Sequence, residues 1–126
     1  MESVIKGIRK RRAGLTFYKN GRIDIAANVS KDLELNEDCA IDILQDNGEY
    51  YLRKTSVQKY IQPSLKCMRA GKNSCSFRIF SVDLCKCMYN IADVETTTEK
   101  FALPTGSPIN NRKYGLLIPI ITRIVL

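Results

Sequence analysis

The sequence predicts a mainly β protein with short helices. Three observations lead there. Asn20-Gly21 and Asn47-Gly48 each sit between short runs of strand-forming residues. Those runs alternate polar and apolar residues, as in RIDIA (22–26) and CAIDILQ (39–45). The order strand, turn, strand, short capped helix, strand, turn, strand recurs in the second half.

Each element follows from local chemistry. Residues 15–19 (LTFYK) mix aromatic, apolar and β-branched types and read as a strand. Asn20-Gly21 tolerates the positive φ angles of a type I′ turn, and RIDIA returns half buried. Asn28 is placed to cap a short helix over 29–35, with Val29, Leu33 and Leu35 inward. Residues 39–45 form the next strand, Asn47-Gly48 the second tight turn, and EYYLRK the strand after it. Tyr50 and Tyr51 are adjacent there, so one faces in and one out. Residues 55–65 read as irregular, with Pro63 near a join.

The same order then recurs. SLKCMRA (64–70) reads as a strand, GKNS (71–74) as a turn and CSFRIF (75–80) as a return strand. Ser81 caps a helix over 82–90 whose Val82, Cys85 and Met88 repeat at helical spacing. EKFAL (99–103) reads as a strand, LPTGSP as a turn, and the last apolar stretch as a strand with Pro119 at an edge. RIDIAANVSKDLEL can be laid over FRIFSVDLCKCMY. The repetition reads either as an internal duplication, with halves 15–54 and 64–121, or as the strand–turn–strand order small β-rich chains show by chance. A basic arm, 1–14, ending at Gly14, precedes the β-rich domain, 15–126.

The 126 residues carry a formal charge of +7, unevenly spread. Lys6, Arg9, Lys10, Arg11 and Arg12 crowd the arm against Glu2. Asp24, Asp32, Glu34, Glu37, Asp38, Asp42, Asp46 and Glu49 dominate 23–49 against Lys31. Basic character returns over 51–91. Cationic surface attracts polyanions through counterion release, and it also serves solubility.

Catalysis has little support. The chain has no histidine, which removes the commonest general base and zinc ligand. No catalytic residue, metal or cofactor is therefore assigned. Five cysteines, an odd number, do not make a disulfide framework. Cys67, Cys75, Cys85 and Cys87 lack zinc-knuckle spacing, so mostly buried, reduced thiols are expected. No apolar h-region follows the basic arm, and GLLIPIITRIVL, broken by Pro119 and Arg123, is shorter than the ~20 residues a membrane helix needs. A cytoplasmic protein with no membrane partner is the expectation.

The stretch NGRIDIAANVSKDLELNEDCAIDIL resembles the AbrB, SpoVT and MazE family over residues 15–54. Gly21-Arg22-Ile23 and Ile25 match its first strand. Val29, Leu33 and Leu35 match its short helix, Ile41 and Ile43 its next strand, and NGEYYL its closing hairpin. Ala26 stands where the family usually carries proline. The resemblance implies a swapped-hairpin β-barrel, closed either by a homodimer or by an intramolecular pseudo-dimer of the two halves. It implies a DNA-binding, AbrB-like transcriptional regulator or antitoxin-like protein. The DNA contacts expected are Arg9, Lys10, Arg11, Arg12, Lys19 and Arg22. The alternative is a non-enzymatic interaction or assembly protein of a phage or mobile element, using the barrel as an oligomer scaffold.

Overall fold

In a computed structural model of the chain, residues 12–56 and 65–126 are described. Arg9, Lys10, Arg11 and most of the irregular join around Pro63 lie outside them. The described chain is mainly β, with two antiparallel sheets and two short helices. In order they are β1 (Ala13–Tyr18), β2 (Arg22–Ile25), α1 (Ala27–Asp32), β3 (Cys39–Asp46), β4 (Glu49–Ser56), β5 (Met68–Arg69), β6 (Phe77–Phe80), α2 (Val82–Ile91), β7 (Lys100–Pro104), β8 (Ile109–Asn111) and β9 (Gly115–Ile120).

The two sheets have orders β5-β6-β2-β1-β7 and β3-β4-β9-β8. Hairpin β1–β2 meets hairpin β5–β6 through β2 and β6, antiparallel, with Ile23 opposite Ile79 and Asp24 opposite Arg78. The sheets share one apolar core, and among the described residues isolated backbone bridges link them at two places. Near β3, Ala40 bridges Lys66, and the Cys67 N–H donates to the Cys39 carbonyl at 2.9 Å. Beyond β7, Thr105 bridges Ile120, and the Ile121 N–H donates to the Pro104 carbonyl at 2.9 Å.

The alternation expected in the strands sets the core. Leu15, Phe17, Ile23, Ile25, Ile41, Leu52, Phe77, Ile79, Phe101, Leu103, Ile118 and Ile120 are all buried. Each such side chain contributes about 1.5–3 kcal/mol of transfer free energy before ordering costs. Phe17 stacks on Phe101 at 5.2 Å, and Tyr89 of α2 meets Phe101 edge-on at 4.7 Å. The Tyr89 hydroxyl donates to the Thr98 carbonyl at 2.8 Å, which satisfies its polar end.

The turns follow residue chemistry, with one correction. Asn47 and Gly48 both have positive φ, 51° and 77°, between the paired Asp46 and Glu49, so the expected type I′ turn forms. At the first hairpin, Gly21 has φ 101° but Lys19 and Asn20 do not enter the positive region. The Gly21 N–H closes a four-residue turn on the Tyr18 carbonyl at 3.0 Å. This is a type I turn finished by glycine, not type I′. A side chain at Gly21 would strike Val82, so glycine also lets α2 approach this hairpin.

Other expectations need correction. Ala13 and Gly14, read as the end of the arm, lie in β1. At the register shift there, a side chain on Gly14 would strike Thr105. The strand expected over 64–70 shortens to Met68–Arg69 plus the Lys66 bridge. LPTGSP is not a turn but the bent join of β7 and β8. The chain reverses at 112–114, where the Asn111 side chain accepts from the Lys113 and Tyr114 N–H groups and Gly115 has φ 79°. Pro119 is not at a sheet edge, since β9 lies between β4 and β8. It sits where the β8 ladder has stopped, and its carbonyl accepts from the Gly106 N–H.

The helices differ at their starts and agree at their ends. Ser81 caps α2 as expected, its hydroxyl accepting from the Leu84 N–H at 3.2 Å. Asn28 does not cap α1. The cap position is Ala26, with no side-chain bond, and Asn28 is exposed. Ser30, 2% exposed, donates instead to the Ile25 carbonyl at 3.3 Å. Both helices end in a Schellman motif. Leu35 and Glu34 N–H groups donate to Ser30 and Lys31 carbonyls, and Val94 and Asp93 repeat this on Tyr89 and Asn90. Glu34 and Asp93 take the left-handed position, at φ 53° and 55°. No helix among the described residues is long and apolar enough to cross a membrane.

Candidate nucleic-acid interface

Period-two alternation leaves every second side chain of the five-stranded sheet on its outer face, and register brings these into rows across the strands. One row reads Lys100, Tyr18, Arg22, Phe80, from β7 through β1 and β2 to β6. Tyr18 pairs with Lys100, and Arg22 pairs with Phe80. The Arg22 guanidinium lies 4.3 Å from the Tyr18 ring centre, and the Lys100 ammonium lies 5.8 Å from it. The next row reads Ala102, Thr16, Asp24, Arg78, Met68. Arg22, Arg78 and Lys100 therefore stand against Asp24 on this face.

Asp24 organises the arginines. The Arg22 Nη2 donates to its Oδ2 at 2.7 Å, and the Arg22 Nε to its Oδ1 at 3.1 Å. The Arg78 Nε donates to Oδ1 at 2.7 Å. Burial alone raises the Asp24 pKa, but hydrogen bonds from Arg22 and Arg78 and their charges outweigh it. The carboxyl ends below its ordinary value. The hydrogen bond to Asp24 in turn raises the Arg22 pKa, with burial opposing it. One carboxylate thus holds two guanidinium groups side by side, with a net positive charge left over.

The outer face of the other sheet has a different balance. Asp42 and Arg53 lie opposite each other and pair at 3.0 Å. Arg53 also lies 5.5 Å from the Tyr114 ring centre. Farther along the same face, Asp46 stands opposite Glu49. This face is neutral to acidic, and it carries three of the eight acids of residues 23–49, Asp42, Asp46 and Glu49.

Of the expected contact residues, Arg12 and Lys19 are exposed, Lys19 at the tip of the β1–β2 turn, and Arg22 lies within the cationic row. Arg9, Lys10 and Arg11 are outside the described residues. Sequence reasoning missed Arg78, Lys100 and Phe80. The alternation in FRIF set Arg78 and Phe80 on a common face, but their placement beside Arg22 depends on β2–β6 pairing between distant residues.

The cysteines are free thiols. Cys39, Cys67 and Cys85 are buried, as expected of most of them, and Cys75 and Cys87 are exposed. Burial, with Cys39 beside it, pushes the Cys67 thiol far up, and burial pushes Cys85 up to about 11. Neither is a thiolate near neutral pH. No group of three or more histidine, cysteine or acidic side chains placed to hold a metal ion occurs among the described residues. Searches of family models, curated proteins and solved structures found no match to this chain.

Proposed function

We propose that this chain is a DNA-binding protein, an AbrB-like regulator, that meets DNA with the outer face of its five-stranded sheet and its basic arm. The observation that carries this reading is the convergence of Arg22 and Arg78 on Asp24 at 2.7 Å each, next to Lys100 and Tyr18. Guanidinium groups held by a neighbour lose less freedom when they bond a phosphate oxygen or a base edge, and they can bond two acceptors at once. The acidic outer face of the other sheet would turn away from the polyanion.

The same reading takes the two halves as an intramolecular pseudo-dimer of swapped-hairpin type. Four facts support it. The first half runs strand, strand, helix, strand, strand, and the second begins the same way but has three strands after its helix, β7, β8 and β9. Both helices end in the same motif. The inner hairpin strands, β2 and β6, pair antiparallel, and so do β4 and β9. Each half sends a strand from one sheet toward the other. A unit of this size cannot cover both faces of its strands alone, and pairing two halves removes exposed edges.

The test is a mobility shift on random duplex DNA at two salt concentrations. Log affinity should fall linearly with log salt, by about 0.9 per phosphate neutralised. Alanine at Arg9, Lys10, Arg11 and Arg12 should flatten the slope by roughly two to four units. No shift even at low salt would reject DNA binding. The assembly reading would then lead, because Met68 (47%), Phe80 (43%) and Val82 (48%) are exposed apolar side chains of one region. Sedimentation would find a larger particle in that case.

A further inference from the structure

The row Lys100, Tyr18, Arg22, Phe80 alternates cation and aromatic across four strands, a span of about 14 Å at ordinary strand spacing. Its two aromatics are in different states. Tyr18 has Arg22 at 4.3 Å and Lys100 at 5.8 Å from its ring centre, so its ring is already engaged. Phe80 is 43% exposed, and among the described residues no cation lies over it. An exposed phenylalanine on a sheet face costs solubility and adds nothing to the core beneath.

We infer that this row seats single-stranded DNA, an unpaired base stacking on Phe80 while Arg22 and then Lys100 take successive phosphates on one side of it. Base–aromatic stacking combined with cations that follow the backbone is the general physics of single-strand binding, and it tolerates any base. A base inside a duplex cannot offer its flat face to Phe80, whereas duplex phosphates can still reach the cations. Deoxyribose rather than ribose is the expected sugar. That expectation comes from the DNA reading above. The inference rests on the DNA reading above and narrows it to one form of DNA at one residue.

The experiment is fluorescence polarisation of the full chain with three labelled probes: a short oligodeoxyuridylate, the matching oligouridylate RNA, and a DNA duplex of equal length. Phe80→Ala should weaken the single-stranded DNA complex about tenfold or more, the scale of one lost stacking contact, and change duplex affinity less than twofold. Phe80→Trp should restore single-strand affinity. Phe80→Leu, which keeps apolar bulk without the ring, should not. Thermal melts of the three variants should match wild type, because the side chain is largely outside the core. Equal single-strand affinity of wild type and Phe80→Ala, or tighter binding of RNA than of DNA, overturns the inference. So does a change of sedimentation mass in Phe80→Ala without a change in DNA affinity. If the duplex binds and the single strand does not, the inference falls and the DNA reading stands. If neither binds, both fall.

Discussion

The outer faces of the two sheets use the same device to different ends. Each carries a cross-strand arginine–aspartate pair, Arg78–Asp24 on one and Arg53–Asp42 on the other. On the four-stranded sheet the pair is one to one, and Asp46 and Glu49 lie farther along the face. On the five-stranded sheet a second arginine joins the same carboxylate, and Lys100 stands in the adjacent row. An ion pair alone therefore does not mark a binding surface. The proposed surface differs in having charge left over after pairing, on side chains held in place. Half-exposed pairs contribute little to stability, so a surplus arginine gains little for the fold.

The largest effect should come from beneath the cationic face. Phe17→Ala removes the ring stacked on Phe101 and should cost about 3–5 kcal/mol, read by chemical denaturation. That is a large part of the ~5–15 kcal/mol expected for a domain, so DNA binding should be lost with the fold. Next come the faces themselves. Arg22→Ala with Arg78→Ala should reduce duplex affinity tenfold or more and flatten the salt slope by about two units. Arg53→Ala should leave both within twofold and a few tenths of a unit. Equal losses from the two sheets would break the comparison.

Smaller effects sharpen it. The Ser81 N–H donates to the Gly21 carbonyl at 2.8 Å, so the start of α2 props the β1–β2 turn at the rim of the cationic face. Ser81→Ala should cost about 1 kcal/mol as a lost cap, whereas Asn28→Ala in α1 should stay within about 0.5 kcal/mol. Thermal melts of the two variants would separate them. Asp24 also gives the pair of arginines a pH signature. Its pKa is depressed in the folded chain. Its contribution to stability is therefore complete above the unfolded value, about 3.9, and is lost as pH falls through the lower folded value. Asp24→Asn should flatten that acid limb of the stability curve. Carboxyl titration by NMR should find the Asp24 midpoint below that of an ordinary aspartate.

What the sequence made legible was local. Asn47-Gly48 dictated a two-residue turn because both residues tolerate positive φ, and Ser81 dictated a helix start because its hydroxyl accepts a backbone N–H. Asn20-Gly21 looked the same as Asn47-Gly48 but closed differently, since α2 packs against Gly21 and the hairpin takes one more residue. Asn28 failed as a cap because Ile25 continues through Ala26 directly into the helix, which places Asn28 in its first turn. The site was half legible. Arg22 was read as outward from alternation in RIDI. Arg78, Lys100 and Phe80 join it through pairings between strands more than fifty residues apart, which no local pattern encodes.

The central claim is that DNA is met by one face and not the other. Its most direct test is to titrate a short DNA duplex, at low salt, into isotope-labelled protein and follow amide and side-chain NMR signals. Shifts should concentrate at Tyr18, Lys19, Arg22, Arg78 and Lys100, with Asp42, Arg53 and Tyr114 unmoved. Shifts centred on Asp42, Arg53 and Tyr114, or no shifts at all under these conditions, would contradict it.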